Sequence, residues 1–256
     1  MAYTIEIREK GYLLFTIRRS ETRNAINYDV MNGLSEAINR AKQTDIKALV
    51  ITGEGDRAFC SGGDLSVFHL LKTKEAAYAM LSKMATVLYS LLICPKPTIA
   101  LMNGAAIGGG CELAAACDFR IAREGIKAGF VQGNQAITTG WGGGSILTEK
   151  LSSSTSMKLL MEAEIYTAET LRDIGFINEV YNQDSVLECE RYLRRLLSID
   201  LTVLESYKMM WIRKWEETGL RERIEKEVMN CAVLWESETH IEQVNRFINK
   251  KTQNTE

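Results

Sequence analysis

Short apolar runs alternate with longer helical stripes along most of the chain. Tyr3 to Ile7 and Tyr12 to Ile17 read as a strand pair around Lys10-Gly11. Tyr28 to Gln43 then carries apolar residues at Val30, Met31, Leu34, Ala37, Ile38 and Ala41, the spacing of one helix face. Lys47 to Thr52 has the length and composition of a strand. A polar, Gly-containing turn leads to AFCSGGDL, Ala58 to Leu65, and then to a predicted helix over Lys74 to Leu92 that Pro95 and Pro97 close. Thr98 to Met102 predicts another strand, stopped at Asn103-Gly104, a dipeptide that favours a turn. Gly108, Gly109 and Gly110 follow, then Cys111 to Ala116, whose Leu and Ala content suits a helix. Beyond the centre, Phe119 to Ala122 reads as a strand, Ala128 to Thr139 as irregular, and Gly140 to Ser145 as the opening of a helix. Gly175 to Val180 reads as a helix C-cap running into a strand. From Ser185 onward the pattern is almost wholly helical, with Trp211, Trp215 and Trp235 on those helices. So much aromatic surface predicts packing on another subunit or on the parent core.

The pattern predicts an α/β fold in which two glycine-rich turns, each following a strand, occupy parallel roles. At Gly108 to Gly110 a backbone without Cβ atoms can approach a ligand closely. The first amides of the following helix lack intrahelical partners and sit at the positive end of its dipole, so they can hold a phosphate, a carboxylate or a developing oxyanion. Glu112 falls in that first turn. Dipole compensation and close packing explain the same residues without a ligand.

Composition narrows the chemistry. The 256 residues are 46% hydrophobic with a formal net charge of −2, enough for a sizeable core and without a basic cluster for nucleic acid. No apolar run approaches the length of a membrane span and no signal-peptide pattern opens the chain, so the expected compartment is the cytoplasm. Six cysteines lie among apolar neighbours without metal-ligand spacing, so no metal is expected, and there are two histidines, His69 and His240. Buried thiols fit this better than bridges, and the shortage of histidine weakens a Ser-His-acid scheme. Asp118 reads as a turn or capping residue and His69 as a surface or half-buried one.

On these residues the chain resembles the crotonase, or enoyl-CoA hydratase/isomerase, superfamily from the Ser20 region to near its C-terminus. SETRNAI resembles the family's loop before the first long helix. AFCSGGDL resembles its first oxyanion-hole motif, NGAAIGGGCELAAACDFRIA its second, and GFINEV its late strand signature. The resemblance implies an α/β crotonase-like spiral of β-β-α units over residues 1–184 and a helical C-terminal oligomerisation region over 185–256. It also implies a homotrimer or hexamer, a dimer of trimers. The expected partner is an acyl-CoA substrate, with no cofactor beyond the coenzyme A carried by that substrate. By motif position, the N–H groups of Gly63 and Gly109 would be the oxyanion donors and Glu112 the catalytic acid or base. Arg23, Asn24, Ala25, Gly62, Asp64 and Leu65 match positions lining the CoA site. Gly133, Asn134 and Trp141 fall at the acyl pocket. A thioester carbonyl driven toward an enolate places negative charge on one oxygen, and one preorganised donor is worth about 10²- to 10³-fold in rate.

One departure divides the possible reactions. Family hydratases use a second glutamate, which alignment on neighbouring motifs puts at Gly133 or at Asn134, and neither is an acid. Gln132, Asn134 and Gln135 are the nearby candidates to stand in for it. An enoyl-CoA hydratase/isomerase-like enzyme, a lyase of fatty acid metabolism, is the first expectation. A decarboxylase of ethylmalonyl- or methylmalonyl-type CoA is the second, and a non-catalytic binding protein of this fold the third.

Overall fold

The computed structural model describes the backbone of residues 1–253 and the side chains of residues 1–246. The chain opens with β1 (Tyr3–Arg8) antiparallel to β2 (Tyr12–Ile17), then α1 (Tyr28–Ala41), whose N-terminus is capped by the Asn27 side chain accepting the Val30 N–H at 3.0 Å. Three rounds follow in which one strand joins a large sheet and a shorter one joins a small sheet. The first is β3 (Ala48–Gly53) and β4 (Ala58–Cys60), continued by α2 (Leu65–Phe68) and α3 (Lys74–Leu92). The second is β5 (Thr98–Met102) and β6 (Ala105–Ile107), continued by α4 (Gly109–Ala116). The third is β7 (Phe119–Arg123) and β8 (Lys127–Gly129), continued by a 3-10 turn at Gln132–Gln135, α5 (Gly143–Lys150) and α6 (Ser153–Glu162). Then come β9 (Tyr166–Thr167), α7 (Ala168–Asp173), β10 (Glu179–Tyr181), α8 (Ser185–Ser198), α9 (Leu201–Glu217), α10 (Leu220–Trp235) and α11 (Glu238–Gln253).

The large sheet runs β1-β2-β3-β5-β7-β10 and the small one β4-β6-β8-β9. From β2 to β10 the large sheet is parallel throughout, with both faces covered, which explains why β3 and β5 read as unbroken apolar runs. Side chains alternate between two cores. Leu13, Phe15, Ile17, Leu49 and Ile51 face the main core with α1, α3 and α4, whereas Tyr12, Leu14, Ala48 and Val50 face α8 through Cys189 and Leu193.

Most expected elements stand within a residue or two of where the pattern put them. The small sheet was not anticipated, because strands of two or three residues are too short to show a period. The segment expected to be irregular contains most of β8 and the 3-10 turn. The expected boundary after residue 184 falls in the loop between β10 and α8. Beyond it, α9 and α10 add Ile212, Trp215, Ile224 and Val228 to the main core, so these helices pack on the parent body. Residues 254–256 of that region lie outside the described residues.

Candidate active site

β4 and β6 are parallel neighbours, pairing Ala58 with Ala105 and Cys60 with Ala106, so the loops leaving their C-terminal ends emerge side by side. A Cβ added at Gly62 would lie 3.2 Å from the Gly109 amide nitrogen. The first loop is pinned to the segment before α1, with Ile26 N–H donating to Gly62 O at 2.8 Å and Asp64 N–H donating to Ile26 O at 2.9 Å. Between those bonds the Gly63 N–H finds no acceptor among the described residues, and neither does the Gly109 N–H at the start of α4. The Trp141 ring fills the space beside both. A Cβ at Gly109 would come within 2.2 Å of it, so only glycine fits there. Both amides therefore stand bare on a cavity of about 200 Å³ lined also by Phe68, Met80, Leu81 and Ile107.

Glu112 reaches that cavity from the first turn of α4 and is only 2% exposed. One carboxylate oxygen, Oε2, accepts the backbone N–H groups of Trp141 and Gly143, each at 2.9 Å. The other, Oε1, accepts the Gln132 side-chain amide at 2.8 Å and, at 3.4 Å, the Gly140 N–H. Burial pushes the carboxyl up to about 7 and the nearby Glu227 charge adds to the rise, against the bonds from Gly143, Trp141 and Gln132 that favour the anion. A carboxyl in that range gives and takes a proton near neutral pH.

Glu227 was not anticipated. It lies far along the chain on α10, in a stretch with nothing to mark it, and the fold brings it to the N-terminus of α5. There it accepts the Ser145 N–H at 2.7 Å, the Gly144 N–H at 3.1 Å and the Thr139 hydroxyl at 2.6 Å. One short helix end thus holds two carboxylates, Glu112 on one side and Glu227 on the other. No Lys or Arg lines the cavity among the described residues.

The structure gathers Gly62, Gly63, Leu65, Gly109, Glu112 and Trp141 on this cavity. The loop at Arg23, Asn24 and Ala25 lies beside it, and Arg23 is exposed. The Asn24 side chain donates to Glu54 O and Ala58 O, while Asp64 pairs with Arg19 at 2.7 Å and caps α2. These two side chains brace the loop. Gly133 and Asn134 correct the expectation. Both are exposed and lie off the cavity, with the Asn134 amide donating to Ala163 O at 2.8 Å. Residues three apart eclipse in a 3-10 turn, so it is Gln132 and Gln135 that face inward. Asp118 ties the start of β5, accepting the Thr98 N–H at 2.9 Å, and pairs with Lys208.

The far wall of the cavity is made by Trp235 of α10 and His240 of α11, rings 4.9 Å apart. Trp235 Nε1–H donates to Leu71 O at 2.8 Å. His240 Nδ1 lies 2.6 Å from Gln135 O, which can only accept, so that nitrogen carries the hydrogen. Burial lowers the His240 pKa, which favours the neutral ring. All six cysteines are free and buried, and burial raises the Cys111 and Cys231 thiols, so neither is a ready nucleophile.

Two amides without an acceptor among the described residues and a buried carboxyl share this cavity, an arrangement able to hold an oxyanion and to move a proton beside it. The sequence model of the enoyl-CoA hydratase/isomerase family matches residues 8–256. A crotonyl-CoA hydratase from Syntrophomonas wolfei subsp. wolfei is 34% identical over 204 residues, covering 77% of each chain. An ethylmalonyl-CoA decarboxylase from Rattus norvegicus is 29% identical over 246 residues, 94% of this chain and 81% of that one. The crystal structure of an enoyl-CoA hydratase from Bacillus halodurans superposes with a TM-score of 0.87 at 22% identity, covering 96% of this chain and 100% of the other. The chain belongs to the enoyl-CoA hydratase/isomerase family, within the crotonase superfamily. It is an enoyl-CoA hydratase/isomerase-like enzyme that processes acyl-CoA thioesters.

Proposed function

We propose that the chain hydrates or isomerises a short enoyl-CoA through an enolate, with Glu112 as its only acid–base group. The observation that carries this reading is the placement of bare Gly63 and Gly109 amides and one carboxyl, raised to about 7, on the same cavity. In hydration the Glu112 carboxylate takes a proton from water as the oxygen bonds to the β-carbon. The C=C electrons move into the thioester enolate, whose oxygen the two amides hold. The same carboxyl then returns its proton to the α-carbon, so one water is consumed and Glu112 ends as it began. Oε1, with one short bond and one long one, is the oxygen that exchanges the proton. The nucleotide end of CoA lies against the loop at Arg23 to Ala25 and the Gly62–Leu65 segment. No cofactor beyond CoA is required, and reduced thiols fit the cytoplasm.

A second reading is favoured by the missing second acid and by a cavity lined by no Lys or Arg among the described residues. A 2-alkylmalonyl-CoA carboxylate would be desolvated there without a counter-ion, which promotes C–C cleavage. The bonding pair would pass into the enolate as CO2 leaves, and protonated Glu112 would deliver the α-proton. Substrate profiling separates the two. Loss of the crotonyl-CoA enone absorbance without CO2 release supports the first. Brisk CO2 release from ethylmalonyl-CoA beside negligible hydration of crotonyl-CoA replaces it with the second, and inertness toward both counts against hydration and decarboxylation alike.

A further inference from the structure

Among the described residues, Gln132 is the one side chain that hydrogen-bonds Glu112. Its Nε2 donates to Glu112 Oε1 at 2.8 Å, while its own Oε1 is buried and accepts from no donor among the described residues. A buried carbonyl oxygen without a donor is costly, and turning the amide over would set two oxygens face to face. This orientation suits an ionised Glu112, whose oxygens can only accept. When Glu112 Oε1 takes up a proton, the new O–H needs an acceptor. The two backbone donors on Oε2 cannot provide one, and neither can the Gly140 N–H. The Gln132 oxygen can, after a half turn of its amide.

We infer that Gln132 is the positioning residue of the acid–base step, a neutral partner that donates to Glu112 when it is ionised and accepts from it when it is protonated. This rests on Glu112 being the group that moves the proton. A second carboxyl at this point would compete with Glu112 for one proton, whereas an aliphatic side chain would serve neither state. Gln132 serves both without adding charge to a cavity lined by no Lys or Arg among the described residues. Among the described residues, the ionisable groups that act on Glu112 or share its cavity are Glu227 and Cys231 of α10, Cys111 of α4 and His240 of α11. Burial raises both thiols and lowers the imidazole, favouring their neutral forms, so that Glu227 is the charge that acts on Glu112.

The test compares Gln132→Met and Gln132→Glu with the wild-type enzyme in two measurements. The first is the pH dependence of kcat/KM on the substrate that profiling identifies. The second is the infrared carboxyl C=O band assigned to Glu112 by its loss in Glu112→Gln, which needs no substrate. Gln132→Met loses both bonds, and because the one to the ionised carboxylate is the stronger, the Glu112 midpoint should move up by about half to one pH unit in both measurements. Gln132→Glu should replace the single step by two macroscopic ones, on either side of the wild-type value. An infrared midpoint unchanged in folded Gln132→Met overturns the positioning role. A shifted band in an enzyme inert toward every acyl-CoA upholds the contact and sinks the enolate reading instead.

Discussion

If Glu112 moves the proton as proposed, it joins stability to catalysis at a single carboxyl group. Burial raises its pKa in the folded protein to about 7, above the ordinary 4.5, so between those values the native state holds a proton that the unfolded chain gives up. That contribution is fully present below about 4.5 and is lost as pH rises through about 7, a decline of roughly 3 kcal/mol at about 1.4 kcal/mol per unit. Glu112→Gln should therefore lose most of this fall in denaturation measured at pH 5 and pH 8. The same variant should lose about 10²- to 10⁴-fold in kcat. Glutamine fits there because the Gln132 amide can turn to meet it. A steep pH slope persisting in the variant would place the proton elsewhere. In the sequence Glu112 stood out by its place after three glycines, and so did the two donor amides. Gln132 did not, because the phase of a four-residue 3-10 turn decides which of Gln132, Gly133 and Asn134 faces inward, and no periodic pattern reports it.

At the scale of elements, α5 is the hinge of the site. Its N-terminus offers N–H groups to Glu112 from α4 and to Glu227 from α10, so two like charges share one helix end. Removing one should ease the other. Glu227→Gln is expected to lower the Glu112 midpoint, seen in the pH profile or the infrared band, and to cost about 1 kcal/mol or less through the weaker charge–dipole interaction. An upward move of the midpoint would show that Glu227 is not the charge felt by Glu112. The helices and long strands were legible because their apolar residues recur with a clear period, as Val30 to Ala41 does in α1. β4 and β6 position both oxyanion loops, yet with three residues each they announce themselves only through the glycines that follow.

For the molecule as a whole, the outer face of α9 remains apolar, with Tyr207, Met210 and Trp211 all more than half exposed. With Pro97, Phe119 and Leu196, Tyr207 and Trp211 line a second hollow of about 460 Å³ away from the active-site cavity. Such a face is expected to be covered by further copies of the chain. Light scattering at micromolar concentration should give three or six times the 28.8 kDa of one chain, and a stable monomer would count against it. The crowding of tryptophan in the C-terminal half was plain in the sequence. Its division was not: Trp215 is buried in the core, Trp211 is left outward, and Trp235 closes the cavity.

That last division orders events in time as well as space. The oxyanion loops belong to the first half of the chain, but the residues that complete the cavity, Cys231, Trp235, His240 and Val244, belong to α10 and α11. During synthesis the segments that carry the Gly63 and Gly109 amides emerge well before the helices that wall the cavity around them. The pocket at Glu112 takes its full shape only once α10 and α11 have been made and have docked on the earlier elements.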